Sequence, residues 1–104
     1  MDEEIWFVYI LECKDGSYYT GVTNNLEKRM KTHALGKGSK YVAKKGFEQL
    51  LVSKECLDKS DACKCEWQIK QLPRNEKLNW FNVNNIENSD NYLTNSSEFS
   101  KGQF

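Results

Sequence analysis

Proline occurs once in this sequence, at Pro73, and histidine once, at His33. Fifteen Lys and Arg balance fifteen Asp and Glu, so net charge is zero and whole-chain charge predicts no polyanion partner. No stretch approaches the roughly 18 apolar residues of a membrane-spanning helix, so no membrane partner is expected. One apolar run of seven residues, Ile5–Leu11, follows acids rather than a basic leader and precedes no small-residue cleavage site. A secretory signal is therefore not expected, and a cytoplasmic protein is. Cys13, Cys56, Cys63 and Cys65 form no CxxC pair. Their spacing fits no common zinc motif, and Cys63 and Cys65 are too close for a comfortable mutual disulfide. The expectation is four reduced, partly buried thiols. No internal repeat is visible, and 104 residues suit one domain with a modest core.

What is present is patterned. Ile5–Cys13 is aromatic and β-branched and predicts a buried strand. Lys14-Asp15-Gly16-Ser17 is a turn signal, and Tyr18–Thr23 a second strand, giving an antiparallel hairpin. Asn24, with Glu27 three residues on, predicts a capped helix to about Leu35, stopped by Gly36. Gly36–Lys40 and Lys44-Lys45-Gly46 predict a flexible basic loop. Gln49–Glu55 predicts a third strand, at an edge or in the centre. A second helix starts from Ser60 or Asp61 and runs to about Leu72, before Pro73. Asn75–Phe81 predicts a short last helix with Leu78, Trp80 and Phe81 packing down. After Asn82 the apolar pattern fades into Asn and Ser. The expected division is a domain over 1–82 and a polar, weakly ordered tail over 83–104. The fold class is α+β: a small three-stranded antiparallel sheet flanked by helices, in the order β-β-α-β-α(-α).

Several side chains sit awkwardly in this pattern. On a helical wheel Leu26, Met30 and Ala34 form an apolar stripe, with Arg29 and His33 at its edge. A snorkelling arginine and an ordinary boundary histidine would account for them; so would an anion presented by the sheet. On the later helix Ala62, Cys65 and Ile69 form the inner stripe, and Glu66 falls inside it. A carboxylate off water needs a cation. That cation is either Arg29 or a lysine in a buried ion pair, or a metal. Tyr9 and Tyr19 lie on paired strands that could bring both rings to one face. Core packing would explain either ring alone. Gly21 inside a strand signals a bulge or a close backbone approach. From Lys28 to Lys45 there are seven Lys or Arg and no acid.

Together these residues carry a resemblance. Phe7-Val8-Tyr9, then Tyr19-Thr20-Gly21, then Arg29 and His33, then a glutamate on a later helix, resemble the GIY-YIG nuclease domain. The likeness covers about residues 5–81 and is nearest to the small stand-alone bacterial members, relatives of the nuclease half of the eukaryotic Slx endonuclease. VYILECKDGSYYTGVTNNLEKRMKTH, GKGSKYV and EWQIKQLPRNEK follow that pattern nearly end to end. The resemblance implies a general-base role for Tyr19 and a positioning role for Tyr9. It implies that Arg29 meets phosphate charge and that His33 supports a tyrosine or proton transfer. It makes Glu66 the lone metal-binding carboxylate and Tyr41 a further phosphate-side residue. The sequence departs from the pattern at Phe7 and Val8, at Thr20, and at Val42, where threonine is common. The asparagine that often follows the glutamate has two counterparts, Asn75 and Asn79.

The activity this implies is metal-dependent endonucleolytic hydrolysis of DNA, on branched or damaged structures in repair or recombination. A single carboxylate suits Mg²⁺, with Mn²⁺ as a substitute, because Mg²⁺ keeps most of its waters and borrows phosphate oxygens. Tyrosine is a poor base near its ordinary pKa of about 10, so cations should gather around the phenols. Lys28, Lys37, Lys40, Tyr41, Lys44 and Lys45 are the expected nucleic-acid contacts. RNA stays open as a substrate, and no protein partner is specified. The competing readings are a nucleic-acid-binding module with little or no catalysis, and a protein-interaction module that recruits a nuclease.

Overall fold

The apolar run becomes strand β1 (Trp6–Cys13), which is the middle strand of three. The computed structural model describes residues 4–89, with side chains through Asn84. β1 is apolar on both faces because both are covered. Val8 and Ile10 pack on one side with Ala62, Ile69 and Phe81. Tyr9, Leu11 and Cys13 pack on the other with Val42. Each fully buried large apolar side chain contributes roughly 1.5–3 kcal/mol.

Strand β2 (Tyr18–Thr23) pairs antiparallel with β1, Tyr9 opposite Gly21 and Leu11 opposite Tyr19. The hairpin closes through Cys13 N–H to the Ser17 carbonyl at 2.8 Å, with Gly16 at φ +87°. Asp15 accepts from the Ser17 amide and hydroxyl at 3.0 and 2.6 Å. On the other side, β3 (Phe47–Cys56) pairs antiparallel with β1 as an edge strand. Its register shifts between Ile10 and Leu11 and again between Glu12 and Cys13.

Helix α1 (Leu26–Ala34) is capped one residue later than expected. The Asn25 side chain accepts from the Lys28 amide at 3.0 Å. Asn24 instead donates to Glu4 at 3.1 Å, and Glu27 lies 3.7 Å from Lys31. The predicted inner stripe also rotates. Leu26 and Met30 pack inward, but Ala34 is exposed, and His33 is the buried residue of the helix. Part of the expected loop is helical. Ser39 accepts from the Val42 amide at 3.3 Å and starts α2 (Lys40–Lys45), which ends at Gly46, φ +86°. Val42 is fully buried, so the valine at this position serves the core.

Helix α3 (Lys59–Lys70) is capped by Asp58, not by Ser60 or Asp61. Asp58 accepts from the Asp61 amide at 2.8 Å, and Asp61 in turn accepts from the Leu57 amide at 2.9 Å. This reciprocal pair has the logic of a capping box. Helix α4 (Arg74–Ser89) follows Pro73 and runs well past the expected end at Phe81. Phe81 is buried, with Leu78 and Trp80 packed beside it, as the pattern predicts. Residues 90–104, most of the expected tail, lie outside the described residues. The fold is α+β, and the strands and longer helices follow the expected order, with the six-residue α2 added before β3. Among the described residues no helix is long and apolar enough to cross a membrane.

Candidate active site

The β1–β2 register puts Tyr9 and Tyr19 on one face, two positions apart on paired strands. Helix α1 crosses that face and lowers His33 between them. The Tyr9 hydroxyl lies 3.0 Å from His33 Nε2, and both residues are almost fully buried. Tyr19 meets the same imidazole edge-on, with ring centroids 5.6 Å apart. Phe47, at the start of β3, stacks near-parallel on its other side at 6.5 Å. Tyr41 on α2 stacks on Tyr19 at 6.0 Å, and Lys45 Nζ sits 5.2 Å from the Tyr41 ring centre.

Gly21 has its explanation here. A Cβ at this position would lie 2.6 Å from the Tyr9 hydroxyl and 3.0 Å from the Tyr19 ring. The close approach is by a side chain, and the β1–β2 register runs without a bulge. Gly38, at φ +90°, makes room in the same way beside Arg29 and His33. A Cβ there would lie 3.3 Å from Arg29 Nη1 and 3.7 Å from His33 Nδ1.

Electrostatics link residues that no single bond joins. Burial pushes the Tyr9 phenol well above its ordinary value. Tyr19 and Glu66 push the same way, and Arg29 pulls it down. Burial, and then the Arg29 charge, hold His33 below its ordinary value, so its imidazole is neutral near pH 7. One phenol thus feels Arg29 from α1 and Glu66 from α3, which packs on the opposite face of the sheet. His33 Nδ1 is buried with no hydrogen-bond partner among the described residues.

Glu66 is half-buried, and its Oε2 lies 3.2 Å from Lys70 Nζ, one turn on along α3. The partner is thus a half-exposed lysine, not a buried cation and not Arg29. Such an i,i+4 pair is worth about 0.3–0.5 kcal/mol, far less than a buried one. Lys70 engages one of the two carboxylate oxygens. A hard oxygen donor on a partly solvated carboxylate fits a Mg²⁺-like ion that completes its shell from water and phosphate.

The basic residues divide. Lys28 and Arg29 line a polar cleft with Thr23, Asn24, Asn25 and Thr32. Lys37 and Lys40 line a shallow depression with Gly36, Gly38, Ser39 and Ala43. Lys44 is exposed. Lys45 is committed to Asp15 at 2.9 Å, which ties α2 to the hairpin turn. The bond from the Ser17 hydroxyl, followed by those from Lys45 and the Ser17 amide, holds the Asp15 carboxyl below its ordinary range. Asn75 and Asn79 both lie on α4 and both are exposed. Sequence reasoning missed Phe47 and Gly38, which nothing in the local pattern marks as neighbours of His33.

The family model of the GIY-YIG catalytic domain matches residues 5–79, and the chain belongs to this family, whose fold is of the nuclease type. Among its relatives is the UPF0213 protein OB0043 of Oceanobacillus iheyensis, 53% identical over 78 residues, covering 75% of this chain and 90% of that one. The UPF0213 protein CPE1444 of Clostridium perfringens is 45% identical over 86 residues, covering 83% and 91%. The solution NMR structure of the UPF0213 protein BH0048 from Bacillus halodurans is 38% identical, covers 88% of this chain and 99% of that one, and has a TM-score of 0.47. The chain thus resembles the UPF0213 members of this family.

Proposed function

We propose that this protein is a metal-dependent endonuclease that hydrolyses phosphodiester bonds in DNA, with structured repair or recombination intermediates as its substrates. The observation that carries the reading is the convergence on Tyr9: a buried phenol bonded to a neutral histidine and lying within the fields of Arg29 and Glu66. A core tyrosine has no need of that surround.

The two phenols divide the work by exposure. Tyr9 is buried and its pKa is raised, so it stays protonated and serves to position. Tyr19 is half-buried and can reach a water, which suits a general base. If His33 donates from Nε2 to the Tyr9 oxygen, the Tyr9 O–H is free for a phosphate oxygen or for the attacking water. The Arg29 guanidinium offers a planar fork to the phosphate oxygens. Glu66 would hold the divalent ion, which supplies charge neutralisation and help for the leaving oxygen. Lys28, Lys37, Lys40 and Lys44 would meet neighbouring phosphates, and Tyr41 a phosphate beside Tyr19.

The test is cleavage of a panel of duplex, flap and junction DNA in Mg²⁺ and in Mn²⁺. Tyr19→Phe, Arg29→Ala and Glu66→Gln should each abolish cutting. Glu66→Gln should leave stability nearly unchanged, because its ion pair is half-exposed, and should leave DNA binding near normal. A Glu66→Gln protein that cuts at the parent rate in Mg²⁺ would end this mechanism.

A further inference from the structure

Away from the tyrosines, β3 ends against the first turns of α3, and three metal-ligating side chains meet there. Cys56 is the last residue of β3, while Asp61 and Cys65 stand one turn apart on α3. The two sulfurs and a carboxylate oxygen all lie within 4.8 Å of one another. The order Cys56, Asp61, Cys65 matches no common linear motif, because the strand-to-helix turn, not the spacing, assembles it.

We propose that Cys56, Asp61 and Cys65 form a site for a thiophilic divalent cation, Zn²⁺ by its donor set, that fastens the end of β3 to the start of α3. Two sulfurs and one oxygen are three of the four donors of a tetrahedral zinc site. At a Zn–S distance of about 2.3 Å, tetrahedral sulfurs sit about 3.8 Å apart. Closing from within 4.8 Å asks only for small rotations of these side chains. The surroundings are already arranged. Leu57 N–H holds Asp61 Oδ2 at 2.9 Å, which orients the carboxylate and leaves its other oxygen free to ligate. Cys56 is buried and Cys65 half-buried, so the sulfurs are shielded from bulk water. Lys54, Glu55, Cys56, Leu57 and Asp61 line an open surface depression, which gives the ion a way in and a water its fourth position. On binding, each thiol releases its proton to solvent, so uptake should weaken as pH falls. Cys63, on the same helix, is exposed and outside the cluster.

The experiment uses the full chain, reduced and stripped of metal, with Co²⁺ as the spectroscopic probe and Zn²⁺ as competitor. One equivalent of Co²⁺ should bring thiolate-to-cobalt absorption in the near ultraviolet, and one equivalent of Zn²⁺ should remove it. Zn²⁺ should also raise the melting temperature. Cys56→Ser and Cys65→Ser should each weaken binding by at least the roughly tenfold that even an outer-shell partner costs. Asp61→Asn should weaken it comparably while keeping the two-sulfur band, and Cys63→Ser should change nothing. Because Cys56 is buried, the exposed-side variants Cys65→Ser and Asp61→Asn keep the test decisive if Cys56→Ser fails to fold. Three outcomes would overturn the site: no charge-transfer band in the reduced parent, a band whose intensity and Co²⁺ affinity are unchanged by loss of Cys65, or a band abolished with Cys63.

Discussion

Gly21 and Tyr9 occupy one another's space. Gly21→Ala would set a Cβ 2.6 Å from the Tyr9 hydroxyl, and the phenol would have to leave His33. The expected cost is about 1–3 kcal/mol of overpacking, together with loss of cleavage. Thermal unfolding and the flap assay check both, and an unchanged melting temperature would mean the ring is not confined. His33 gives a pH prediction of definite sign. Its folded pKa lies below its unfolded one, so the unfolded chain binds the proton more readily. Stability from this group is complete above about pH 6.5 and declines as pH falls below it, until the folded form also protonates. Melting temperature in His33→Gln should lose that part of the decline, which carboxylates alone would leave intact. At this scale the sequence was readable where chemistry stands out from its surroundings. A carboxylate in an apolar stripe and a glycine in a strand both announce themselves. Lys70, four residues after Glu66 on the same helix, was open to the same kind of spacing argument, whereas Phe47 as the wall behind His33 depends on strand-to-helix packing that no local spacing encodes.

Among the elements, the basic segment departs furthest from its sequence signal. Two glycines and a run of lysines suggested a loop, yet Ser39 supplies a cap and Val42 a buried anchor for α2. A helix of six residues has too little internal cooperativity to stand alone, so packing decides it. β1 was legible because its apolar residues are continuous, and the cap of α1 was misplaced by one because Asn24 and Asn25 offer the same chemistry. Lys37, Lys40 and Lys44 flank or belong to α2, while Lys45 is held by Asp15. Replacing those first three with glutamine should weaken binding to every DNA sequence alike. It should also flatten the salt dependence by up to about 0.9 in log–log slope for each duplex phosphate no longer neutralised. Measuring affinity at several salt concentrations decides it; an unchanged slope would move the nucleic-acid surface elsewhere.

For the molecule as a whole, among the residues whose side chains are described, through Asn84, the two core clusters end at Phe81. We expect a chain ending at Asn82 to keep most of its thermal stability, although α4 continues to Ser89. Such a truncation removes the partly buried hydrogen bond that the Asn84 side chain donates to the Trp80 carbonyl. A fall in melting temperature of more than roughly ten degrees would put residues 83–104 into the folding unit.

The two clusters lie on opposite faces of the sheet, and β1 sends alternate residues into each. A slip of one position in its pairing would turn the Tyr9 phenol toward α3 and α4 and carry Val8 to the face where His33 waits. Such an isomer could still be compact and still hold hydrogen-bonded strands, but it would bury a hydroxyl among Ala62, Ile69 and Phe81 and leave an imidazole facing valine. Turnover would therefore serve as a proofreader of strand register. A population misthreaded by a single residue would look folded by its amide spectrum and be silent in every cleavage lane.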